Sequence, residues 1–113
     1  MSDAAPGPIT THVLDAALGR PAAGVPVQLL RDGRTIASAV TDANGRAAGL
    51  LPAGAPAPGV YQLRFDTAAY ARSLGREAFH PEVVVAFIIG AGERHFHIPL
   101  ILSPYGYSTY RGS

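Results

Sequence analysis

The sequence has no cysteine, no tryptophan and a single methionine, and all nine of its basic residues are arginine. Without cysteine there is no disulfide framework, no thiolate metal site and no thiol nucleophile. Charged residues make up only 15 % of the 113 positions, against roughly 25 % in an average soluble domain. The net charge of +1 comes without any basic run, so the clustered basic face of a nucleic-acid binder is missing. No apolar stretch approaches the roughly 18 residues of a membrane helix. Residues 1–8 lack the basic and apolar regions of a secretory leader, so the cytoplasm is the expected compartment.

What the chain does have is 48 % hydrophobic residues, 13 glycines and 10 prolines. That hydrophobic share excludes a disordered chain. The glycines and prolines cut it into short runs, as in an all-β sandwich. The expected organisation is a flexible segment over 1–8 and a single domain over 9–113. Ile9 to Asp15 alternates as a first strand, with Thr10, His12 and Leu14 on one face. Val25 to Arg31 and Arg34 to Thr41 flank Asp32-Gly33, a strong hairpin signal. The turn Asp42 to Gly45 leads to a short strand from Arg46 to Leu50, and a loop over Pro52 to Gly59 precedes a strand from Val60 to Asp66. Thr67 to Leu74 predicts two helical turns, with Thr67 as N-cap and Gly75 at the C-terminal cap. Tyr70 and Leu74 would form its apolar stripe.

Glu82 to Ile89 is apolar throughout and predicts a strand buried on both faces. Glu93 to Leu102 follows, with Pro99 implying an edge or a local irregularity, and then a last strand over Tyr107 to Arg111. Eight short strands and one helix after the fifth result, enough for an all-β sandwich.

Chemistry-bearing residues are few. His95 and His97 stand at i and i+2, so both imidazoles leave a strand on one side. Imidazole titrates near neutrality and suits general acid or base work or zinc ligation, and His12 could complete three ligands. No cysteine or carboxylate accompanies them, and a polar strand face carrying incidental histidines is the commoner outcome. Arg46 can fork onto planar carbonyls or pair with Asp42. The tail Tyr107-Ser108-Thr109-Tyr110-Arg111-Gly112-Ser113 is aromatic and able to end on a strand. Asp15, Asp42 and Asp66 sit beside turns and caps, where they serve the backbone. His80 precedes Pro81 in a loop and has no expected catalytic role. From the residues alone a β-sandwich with a His/Arg surface site follows, and no particular reaction.

Three stretches together resemble the transthyretin superfamily: His12-Val13-Leu14-Asp15 with Gly19-Arg20-Pro21-Ala22, then Thr41-Asp42-Ala43-Asn44-Gly45-Arg46, then His97 through Ser113. Within it, the ending Tyr110-Arg111-Gly112-Ser113 together with His12, Arg46 and His97 is similar to the 5-hydroxyisourate hydrolases rather than to the hormone carriers. Phe96 and His80 depart from the residues common there, outside the catalytic set. The resemblance implies an all-β, transthyretin-like sandwich of two four-stranded sheets with one short helix after the fifth strand, and hydrolysis of 5-hydroxyisourate, the urate oxidase product, at its N1–C6 bond. The product is 2-oxo-4-hydroxy-4-carboxy-5-ureidoimidazoline, on the way to (S)-allantoin. It implies no metal and no organic cofactor. His12 and His97 would share the base and acid work, and Arg46 would steady the ring carbonyls. Tyr110 would wall the substrate, and Ser113 would orient a histidine or the water. It further implies a homotetramer, a dimer of dimers with sites between subunits. Bacterial relatives occur in the cytoplasm and the periplasm. The competing expectations are a transthyretin-like carrier of a small ligand and a metal-binding module using His12, His95 and His97.

Overall fold

The computed structural model describes residues 7–48, 50–51 and 56–113. Most of the expected flexible segment and part of the expected 52–59 loop lie outside the described residues. Gly7 and Pro8 are buried, and the Pro8 carbonyl accepts a hydrogen bond from the Phe96 amide at 2.8 Å.

Among the described residues there are nine strands and one helix: β1 (Ile9–Asp15), β2 (Arg20–Pro21), β3 (Pro26–Arg31), β4 (Arg34–Val40), β5 (Arg46–Ala47), β6 (Gly59–Phe65), α1 (Thr67–Ser73), β7 (Val83–Ile89), β8 (Phe96–Leu102) and β9 (Tyr107–Thr109). One sheet runs β4-β3-β6-β7. The other runs β2-β1-β8-β9, with β5 also on β1. The expected two-sheet sandwich with one short helix is borne out. The second sheet holds five strands rather than four, because β2 and β5 share one edge of β1, each two residues long. A two-residue strand is too short to show a period, so β2 carries no strand signal in the sequence.

The sheets close on one core. Ile9, Val13, Leu29, Leu63, Phe65 and Leu100 are fully buried within it. Each alternates with an outward neighbour, as a half-buried strand dictates. Asp32 and Gly33 have φ of 53° and 76°, the paired positive angles of a tight hairpin turn.

Three local expectations need correction. The strand at 83–89 is not buried on both faces, since Val84 and Ile88 stand exposed on its outer side. It is the edge of its sheet, and only its inner face meets the other layer. The helix is capped by Asp66, whose carboxylate accepts from the Ala69 amide at 2.9 Å, while the Thr67 hydroxyl donates to the His80 carbonyl instead. Its buried stripe is Thr67, Tyr70 and Ala71, and Leu74 forms the exposed C-cap. The local irregularity expected at Pro99 is present: Pro99 lies inside the sheet, at the break where the β8–β9 ladder lapses after Leu100–Thr109 and resumes as a single bridge between His97 and Gly112. A residue without an N–H fits such a gap.

The turn before β5 sets the site's edge. The Asp42 carboxylate accepts from the Asn44 and Arg46 amides at 2.8 and 3.0 Å. Gly45 has φ of +75°, and a Cβ there would stand 2.4 Å from the Val13 carbonyl oxygen. The Gly45 carbonyl in turn accepts from Val13 at 2.7 Å. Gly45→Ala therefore combines a left-handed backbone with a backbone clash. It is expected to cost about 2–4 kcal/mol, seen as a lower urea midpoint with an unchanged slope.

Candidate functional site

β1 is the pivot of the site. Thr11 and Val13 point into the core, so Thr10 and His12 point outward and are half-buried. Antiparallel β5 sets Arg46 beside His12. Parallel β8 sets His97 beside Thr10 and Pro99 beside His12. Adjacent strands lie about 4.8 Å apart, so His12, Arg46 and His97 leave one face of the sheet as near neighbours.

A shallow recess of about 390 Å³ opens there, lined by Thr10, Arg46, His95, His97 and Ser113 among others. His12 is not among the residues that line it; it stands beside Arg46 on the neighbouring strand, its Nε2–H donating to the Asn44 carbonyl at 2.9 Å. Among the described residues, no hydrogen bond or ion pair uses the Arg46 guanidinium or the Ser113 hydroxyl. Both are available to a ligand. Tyr110 is not part of this recess. It lines a separate groove of about 300 Å³ with Phe87, Ile88 and Phe96, between the edges of the two sheets.

The tail is fixed beside His97. Arg111 pairs with Glu93 at 3.1 Å and lies 4.6 Å over the Phe96 ring. The Gly112 amide donates to the His97 carbonyl at 2.7 Å. These contacts bring Ser113 to the recess.

The imidazole of His97 titrates below its ordinary 6.5. Partial burial is the main cause, and the positive charges of Arg46, His12 and His95 add to it. His97 is thus held neutral at physiological pH, able to accept a proton or to donate one from a ring N–H.

Among the described residues, no group of three or more His, Cys, Asp or Glu side chains is placed to hold a metal ion. A third cavity, of about 80 Å³, lies under α1, beside Asp15 and Arg76. Its buried carboxylate is fully committed: Asp15 accepts from the Ala17 and Leu18 amides at 3.0 Å each, and from Tyr70 and Arg76 at 2.7 Å each.

Two residues of the site were given no role by the sequence. Thr10 Oγ1 stands 2.8 Å from Nδ1 of His97, and Gly112 lies against the same ring. Thr10 and His97 are 87 positions apart, so no local spacing announces the pair. Gly112 stood inside the tail motif, where a glycine signals close backbone approach.

The architecture and the outward His/Arg face define a transthyretin-like sandwich carrying a polar site on one sheet. The chain belongs to the HIUase/Transthyretin family, whose profile matches residues 9–112. It is 48 % identical over 116 residues to 5-hydroxyisourate hydrolase 2 of Rhizobium meliloti, covering 95 % of this chain and 97 % of that one. It is 44 % identical over 112 residues to 5-hydroxyisourate hydrolase of Mus musculus, covering 94 % and 95 %. Among solved structures, Klebsiella pneumoniae 5-hydroxyisourate hydrolase superposes with a TM-score of 0.85 at 45 % identity, over 93 % of this chain and 97 % of that one. Sea bream transthyretin in complex with thyroxine reaches 0.83 at 36 % identity, over 93 % and 94 %. No helix among the described residues is long and apolar enough to cross a membrane.

Proposed function

We propose that this protein hydrolyses 5-hydroxyisourate at its N1–C6 bond. The observation that carries the reading is the convergence of Arg46, His97 and Ser113 on one recess, in a chain 44–48 % identical to proteins named for that reaction.

The chemistry needs three things. Water must lose a proton as it attacks C6, the carbonyl oxygen must carry negative charge, and N1 must gain a proton as it leaves. His97, held neutral, and His12 divide the proton transfers. Arg46 forks onto the ring oxygens and opposes the developing charge. Ser113 orients the water or the imidazole. Water supplies the oxygen added at C6, and its protons end on N1 and the new carboxyl group. No redox partner or external group enters the balance.

The active form is a tetramer, a dimer of dimers. What supports it is the openness of the recess on a single chain and the separate position of Tyr110. A second subunit across the open sheet would convert the recess into a channel, and Tyr110 would meet substrate only in such an assembly.

The test generates 5-hydroxyisourate from urate and urate oxidase in the cuvette and follows its ultraviolet decay. Acceleration by this protein is expected. The acid limb of kcat/KM is expected below pH 6.5, because burial and the neighbouring cations favour neutral His97. In Arg46→Ala that limb should move toward higher pH as one of those cations is removed. The likeness to a thyroxine-binding transthyretin supports a second reading, a carrier. Decay no faster than the spontaneous rate from a folded tetramer would favour it.

A further inference from the structure

An imidazole is useful in catalysis only if the right nitrogen faces the substrate. On His97, Nδ1 lies 2.8 Å from the Thr10 hydroxyl, which leaves Nε2 as the nitrogen open to the recess. Thr10 is well suited as a fixed post. Its β-branched side chain is stiff about χ1, and it sits in a seven-residue strand paired with β8 along its full length.

The other side of the ring is closed by backbone. A Cβ built on Gly112 would stand 2.6 Å from Cδ2 and 3.3 Å from Cγ of His97. The bridge from the Gly112 amide to the His97 carbonyl holds the tail at that distance. The ring therefore rests between a hydroxyl and a residue that has no side chain to displace it.

A hydroxyl partner differs from a carboxylate in one respect that matters here. It accepts from Nδ1–H or donates to a bare Nδ1, and it adds no charge. It fixes the ring without raising imidazole basicity, so the neutral form favoured by burial, Arg46, His12 and His95 is kept.

We propose that Thr10 is a positioning residue for His97, fixing through Nδ1 which ring nitrogen serves the recess, with Gly112 as the backstop that keeps the ring in place. This rests on the hydrolase reading only for its effect on turnover, and the ring geometry can be tested without substrate.

The experiment uses the full-length protein labelled with ¹⁵N-histidine. The chain has four histidines, so His97 is assigned by its loss in His97→Asn. Ring ¹⁵N shifts are recorded against pH for wild type, Thr10→Val, Thr10→Ser and Gly112→Ala, and hydrolysis is measured on the same samples. Thr10→Val keeps the shape and removes the hydroxyl. It should change the His97 tautomer shifts and lower kcat by about 10- to 10²-fold with little change in KM. Thr10→Ser should restore both. Gly112→Ala should disturb the same ring signals, since the new methyl must push the imidazole aside. Wild-type shifts in Thr10→Val would overturn the proposal. So would altered shifts with undiminished kcat. Should Thr10→Val fail to fold, Thr10→Ser and Gly112→Ala still decide: altered His97 shifts in Gly112→Ala beside native ones in Thr10→Ser support the clamp, and native shifts in Gly112→Ala remove it. If wild type itself fails to accelerate hydrolysis, the hydrolase reading falls, and the ring shifts still report whether Thr10 orients His97.

Discussion

Arg46→Ala is expected to lower kcat/KM for 5-hydroxyisourate by about 10²–10³-fold, the usual loss when one donor to a developing oxyanion is removed. The fold should hardly notice. Arg46 is exposed, and its structural contribution is made through its backbone amide, bonded to Asp42, which any residue supplies. An unfolding midpoint close to wild type beside a collapsed rate would therefore separate chemistry from stability. Arg46→Lys should recover only a small part of the rate, because a point ammonium lacks the planar fork that matches two carbonyl oxygens. A rate within threefold of wild type in Arg46→Ala would remove the guanidinium from the mechanism.

Asp15→Ala is expected to cost about 2–4 kcal/mol of stability. The Asp15 side chain is 3 % exposed and receives the Arg76 guanidinium, the Tyr70 hydroxyl and two amides of the following turn. Its loss leaves Tyr70 OH buried without an acceptor. Arg76, 36 % exposed, can turn to water, which keeps the cost below that of breaking a fully buried pair. The pH dependence follows from the same contacts. Burial pushes the Asp15 carboxyl up, but the hydrogen bonds from Tyr70, Arg76 and Leu18 outweigh it and hold it below 3.8. Its folded pKa is thus depressed, so its stabilisation is complete above the unfolded value and is lost as pH falls through the folded one. Tyr70, pushed up to about 12 by burial and by Asp15, stays a donor throughout the working range. Urea titrations at pH 7 and pH 3 should show the gap between wild type and Asp15→Asn narrowing in acid.

The features legible in the sequence are those governed by near neighbours. Strand β1 has the expected ends because alternation starts after Pro8 and stops at the Asp15 turn. The Asp32-Gly33 hairpin follows from two residues that tolerate positive φ. The outward face shared by His12 and His97 follows from counting in twos along β1 and β8. Features set by partners distant in the chain were hidden. The apolar run at 83–89 has the composition of a central strand, yet it lies at an edge, and only the order of the sheet decides that. Thr67 and Asp66 are both plausible caps, and the choice falls to Asp66 because the His80 carbonyl takes the Thr67 hydroxyl. Tyr110 belongs by spacing with the tail motif, but the sandwich edge turns it into another groove.

The pairing of β1 with β8 bears on how the protein comes into being. The two strands run parallel, and the residues they bring together are more than eighty positions apart. During synthesis, the hairpin of β3 and β4 can close within a few residues of its turn, whereas β1 must wait for almost the whole chain before its neighbour exists. Joining such distant segments carries the loop-closure cost before any contact offsets it. The recess is therefore among the last features to form, so that only a molecule that has completed its folding presents His97 beside Thr10.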